Sequence, residues 1–172
     1  MRAFLLLVFV MVALSTPRSA FAQLGGLFGS SVEVIETEAL QKQLAARKRA
    51  EEFAKGKGLK VPESDFVLVD VRSEKEIAVS IIPGAITKAQ FEKNLEDYRE
   101  KTVIPYCLVG GRSTAYAKKM VAKGFQVKNY KPSILGWVKA KLPLQTIDGK
   151  ATNRVHTASD RYTVPDKYER VY

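Results

Sequence analysis

Cys107 is the only cysteine in a chain of 172 residues, and its neighbours are unusual. An apolar stretch from Val103 ends at the thiol. Leu108-Val109-Gly110-Gly111 follow, and Arg112-Ser113 open a helical pattern that runs to Lys123. Two consecutive glycines let a backbone turn tightly with its N–H groups pointing inward, and a helix N-terminus adds the positive end of its dipole. A thiol at the centre of such a ring is held toward its reactive thiolate form, with a pKa lowered from about 8.5 toward neutrality. The chemistry this suggests is nucleophilic attack by sulfur. The only histidine, His156, lies far along the chain. The loop itself must therefore activate the thiol; a cysteine-histidine hydrolase is the weaker reading, although such partners need not be sequence neighbours.

Elements that could position this loop are legible on both sides of it. Phe66 to Val71 and Thr102 to Tyr106 are compact, β-branched, nearly continuous apolar runs of the kind buried on both faces of a sheet. Val32 to Ile35 and Phe125 to Tyr130 read as further strands. Helices are expected from Thr37, with Thr37 and Glu38 able to cap, to about Lys55, near Glu74 to Val79, from Lys88 to Glu100, and over Pro132 to Lys141 around Trp137, a core residue. Ser113 reads as the cap of the helix after the loop. The alternation implies an α/β fold, a parallel sheet flanked by helices on both faces. Residues 145–172 are polar and of mixed charge, show no periodic element, and read as a weakly ordered tail whose tyrosines could pack back or meet a protein partner. The basic cluster Arg47-Lys48-Arg49 reads as a solvated helix face.

The first 22 residues have a different character. Arg2, the apolar run Ala3 to Leu14 and Ala20-Phe21-Ala22 form the pattern of a cleavable secretory signal peptide, too short in its apolar core to span a bilayer. The expected organisation is a signal peptide at 1–22, a glycine-containing lead-in at 23–31, one domain at 32–144 and a tail at 145–172. Cleavage would place the protein in the periplasm or outside the cell, with membrane association only if the segment is retained. Loss of Arg2 and Arg18 would lower the formal net charge from +10 to +8. Such an excess favours anionic partners, and export makes nucleic acid the least attractive of them.

Taken together, Cys107-x-x-Gly110-Gly111-Arg112-Ser113, Asp70-Val71-Arg72 with Glu74 and Glu76, Ile82-Pro83-Gly84-Ala85, and Ile134 to Trp137 followed by Leu142-Pro143 resemble the motifs of the rhodanese family. The resemblance spans about Val34 to Leu144. Protein tyrosine phosphatases place five residues between cysteine and arginine; Cys107 and Arg112 have four, which is the length the sulfur-carrying loop has in rhodaneses. The resemblance implies a sulfurtransferase without metal or other cofactor. Cys107 would take sulfur from a small anionic donor such as thiosulfate, become a persulfide, and pass the sulfur to a thiol or cyanide. Residues Leu108 to Ser113 would form the substrate loop, with Arg112 orienting the donor, and Asp70 and Arg72 would support it structurally. The alternative is a module that carries or senses sulfur without turnover. The chain departs from the family at Ser80-Ile81 and Pro132-Ser133, where Gly-His and Gly-Gly are common, and at Leu108, where a basic residue is common.

Overall fold

A computed structural model describes residues 31–172. The proposed signal peptide and nearly all of the lead-in lie outside the described residues. From Val32 onward the chain forms one compact unit.

Five short parallel strands make the sheet. β2 (Phe66–Asp70) is central, with β3 (Ile86–Thr87) on one side and β4 (Thr102–Tyr106) on the other. A bridge between Val103 and Val127 joins β5 (Lys128–Asn129) to β4, and β1 (Glu33–Val34) pairs with β5. Strand periodicity explains why β2 and β4 read as unbroken apolar runs. Phe66, Leu68, Ile104 and Tyr106 enter a core with α1 (Thr37–Gly56) and α5 (Ser133–Lys139), represented by Leu40, Ile134 and Trp137. Val67, Val69, Val103 and Cys107 enter the opposite core, closed by Phe91 of α3 (Lys88–Lys93) and by Tyr116 and Met120 of α4 (Gly111–Ala122). The α/β parallel sheet with helices on both faces is therefore the observed architecture. Trp137 is a core residue, its Nε1 donating to the Pro143 carbonyl at 2.7 Å.

Three local expectations are corrected. The helix from Lys88 stops at Lys93 and gives way to a 3₁₀ turn at Leu95–Tyr98. Of the strand expected over 125–130, only Lys128–Asn129 is regular strand; Val127 joins by a bridge, and the Gln126 carbonyl and Tyr130 N–H bond to Val103 and Pro105 of β4. Glu36, with no side-chain bond, stands at the cap of α1, and the Thr37 hydroxyl instead meets the Tyr130 hydroxyl at 2.9 Å.

The C-terminal segment differs most. It contains β6 (Leu144–Gln145), antiparallel to β7 (Ala151–Thr152), and β8 (Arg154–His156), parallel to β9 (Glu169–Val171). Val155 and Tyr168 are buried in the same core as Trp137, and Tyr168 donates its hydroxyl proton to the Leu142 carbonyl. Strands of two or three residues give no readable alternation, and their partners are distant in sequence, so composition alone suggests a loose tail.

Candidate active site

β4 leads directly into Cys107. Tyr106, its last residue, is fully buried and donates to Asp70 Oδ2 at 2.6 Å while its hydroxyl accepts the Ile82 N–H at 3.1 Å. Asp70 is paired with Arg72 through Nε and Nη2, at 2.7 to 3.1 Å, and Arg72 Nη2 also reaches the Ser80 carbonyl. Both Asp70 and Arg72 are buried. The pair thus ties the end of β2, the Ile82 turn and the residue preceding Cys107 into one buried polar network.

Beyond Cys107 the chain turns through Gly110, whose φ is +94°. A Cβ there would stand 2.5 Å from the Lys131 carbonyl oxygen, so this position requires glycine for both conformation and space. Gly111 has neither restriction. Gly110 is the cap of α4, which corrects the role expected of Ser113: Ser113 lies inside the first turn, buried, with its hydroxyl donating back to the Gly110 carbonyl at 3.2 Å.

Cys107 is 1% exposed. Its Sγ accepts the Gly110 N–H at 3.1 Å. Burial pushes the thiol up, but the amides of Ser113, Gly110 and Val109 and the hydroxyl of Ser133 more than reverse this, leaving its pKa below the ordinary value. Of the amides expected from the loop, Gly110 bonds directly to Sγ, and those of Val109 and of Ser113, beyond the loop, also favour the thiolate.

Leu108 turns its side chain into the core beneath the sheet, while Val109 is half exposed at the rim. Arg112 is held by a bidentate pair with Glu76, both Nη atoms at 2.7 Å from its carboxylate. Its guanidinium is raised chiefly by Glu76 and less by Cys107.

Two residues of the site were not assigned from sequence. Glu76 is buried, and its pKa is lowered to about 2 because bonds from Arg112 and from the Ser73 hydroxyl and N–H outweigh burial. The spacing of Ser73 and Glu76, a helix capping box, was a readable signal for the anchoring of the carboxylate. Ser133 is the other. It has φ +58°, accepts the Cys107 N–H at 3.1 Å, and places its hydroxyl 3.8 Å from Sγ. The departure from Gly-Gly at Pro132-Ser133 was the available signal, since a position that tolerates glycine can hold a left-handed backbone. A cavity of about 520 Å³ lies between α1, Pro83-Gly84 and the segment from Trp137 to Ala151, and none of residues 107–113 lines it.

Residues 49–140, 92 of the 172, match the family described as Rhodanese-like domain. A sulfurtransferase of Allochromatium vinosum is 30% identical over 92 residues, covering 49% of this chain and 83% of that protein. A tRNA sulfurtransferase of Desulfurococcus amylolyticus is 37% identical over 62 residues, covering 36% of this chain; the matched part of this chain spans only 13% of that protein. Among solved structures, a rhodanese-related protein from Thermoplasma volcanium aligns with a TM-score of 0.49 at 17% identity, over 66% of this chain and 97% of that one. The site's cysteine loop and the family match over more than half of the chain lead to one conclusion: this chain belongs to the rhodanese-like domain family and is a rhodanese-like sulfurtransferase with a single buried cysteine, Cys107.

Proposed function

We propose that the protein is exported and moves sulfane sulfur from a small anionic, thiosulfate-like donor to a thiol or cyanide acceptor through a persulfide on Cys107. The observation that carries this reading is the Sγ atom set on backbone amides, with the Gly110 N–H at 3.1 Å. The Cys107 thiolate attacks the outer sulfur of the donor. The donor's S–S bond breaks and its electron pair leaves with the oxidised fragment, sulfite in the case of thiosulfate. The persulfide's outer sulfur carries the negative charge, which inward N–H groups stabilise without further reorganisation. An acceptor then attacks that outer sulfur, and the pair of the broken S–S bond returns to Cys107 as thiolate.

Arg112 supports attraction of an anionic donor through its half-exposed guanidinium. Its engagement with Glu76 and the burial of Leu108 also favour a second reading, a sulfur carrier or sensor with little thiosulfate turnover. One experiment separates the two. Purified protein is incubated with thiosulfate and cyanide while thiocyanate is followed, and its intact mass is recorded with donor alone. A gain of one sulfur atom with sustained thiocyanate production supports the transferase, and a gain without turnover the carrier. No gain, or a gain that survives in Cys107→Ser, would overturn both. For export, the processed N-terminus of protein recovered outside the cytoplasm should be Gln23; full-length protein retained inside would refute the leader.

A further inference from the structure

His156 ends β8, and β8 packs against α2 (Glu74–Val79), the helix that carries Glu76. This segment lies beyond the residues matched to the family, which end at 140. His156 is only 5% exposed. Its Nδ1 accepts the Ala158 N–H at 3.1 Å, so the neutral ring carries its proton on Nε2. Nε2 is buried and has no hydrogen-bond partner.

Through the packing of β8 on α2, the charges that act on this ring through space include those of the active-site margin: Glu76 and Lys75 of α2, Arg72 of the connection into α2, and Arg112 of α4, which Glu76 binds. On its own side, Arg154 is taken by Glu169 at 3.2 Å, and Arg170 bonds to the carbonyls of Asp160 and Tyr162. Glu76 attracts an imidazolium, and Lys75, Arg72 and Arg112 repel it. Burial and the three cations hold the imidazole below its ordinary pKa, so it is neutral at pH 7.

We propose that His156 is a positioning residue of the sulfur-transfer site, whose protonation decides how firmly Glu76 holds Arg112. This rests on the reading of Cys107 as the acceptor of sulfur from an anionic donor. A neutral ring leaves the carboxylate to Arg112. An imidazolium draws on the same carboxylate and repels the guanidinium. Glu76 is fixed by Ser73, so the half-exposed Arg112 is the partner that moves. Acidification thereby releases Arg112 to meet an anionic donor.

Because the chain has one histidine, its ring resonances identify themselves. The titration midpoint of His156, followed by proton NMR, should rise in Arg112→Gln, which removes a repelling cation and leaves Glu76 uncompensated. The companion measurement is KM for thiosulfate between about pH 5 and 7.5. In the wild type KM should fall about fivefold toward acid, and in His156→Gln it should be flat, while kcat follows the thiol in both. An unmoved midpoint in Arg112→Gln, or parallel KM profiles, would overturn the proposal. If His156→Gln does not fold, the midpoint decides alone. A protein that forms no persulfide would refute the transfer reading and still leave the coupling of His156 to Arg112 open to the NMR measurement.

Discussion

Ser133 shows how much one side chain can contribute to a reactive thiol. A non-glycine residue in the left-handed region costs roughly 1 kcal/mol, yet this backbone is what turns the hydroxyl under Cys107. The hydroxyl accepts the buried Cys107 N–H and has two acceptors within reach for its own proton, the Tyr130 carbonyl at 3.1 Å and Sγ at 3.8 Å. Removing it should raise the thiol pKa, because one of the groups holding the thiolate is lost. Ser133→Ala keeps the strain and leaves the N–H unpaired, so it should also destabilise the protein by about 1–2 kcal/mol. Ser133→Gly relieves the strain and should be nearer neutral in stability. Alkylation rates as a function of pH, read beside denaturant midpoints, check this; an unchanged alkylation midpoint in both variants would exclude Ser133 from the site.

At the level of the elements, the turn from β4 into α4 depends on one glycine of the two. Gly110→Ala combines a positive φ with a Cβ against the Lys131 carbonyl, so the loop must shift and its amides leave Sγ. Displacement of about 1 Å in such a site can cost on the order of 100-fold in rate. Gly111→Ala meets nothing within 4 Å and gains helix propensity, so transfer should persist. Steady-state rates of the two variants should therefore diverge.

The ion pair between α2 and α4 gives the fold an acid-sensitive joint. Glu76 titrates at about 2 in the folded protein against an ordinary 4.5. Its pKa is depressed on folding, so its stabilisation is fully present above pH 4.5 and is lost as pH falls toward 2. Because Arg112 is half exposed, the contribution is on the order of 1–3 kcal/mol rather than the full linkage value. Urea midpoints should fall from pH 7 to pH 3 in the wild type. In Glu76→Gln they should be lower at pH 7 and change less with acid.

Across the whole molecule, the C-terminal segment is part of the folded body. Val155 and Tyr168 share a core with Trp137 and Leu142, and Lys167 Nζ donates to the Lys141 carbonyl at 2.7 Å. Tyr168→Ala should cost roughly 3 kcal/mol by leaving a cavity in that core, and removal of residues 145–172 should cost more. Thermal unfolding would test both, and a truncated protein with an unchanged Tm would mean that the segment is dispensable to the fold.

By itself the sequence determined the sheet's central strands, the helices that cover them, and Cys107 with its glycine turn. These depend on local pattern, because an apolar run long enough to cross a sheet and a glycine pair before a helix are readable from neighbouring residues. Tertiary structure alone decided that Ser133 lies beneath the thiol, that Glu76 takes Arg112, and that β8 carries His156 to α2. Each of these joins residues 26 or more positions apart or depends on a backbone angle, and pairings of that kind are set by how the layers pack rather than by any spacing along the chain.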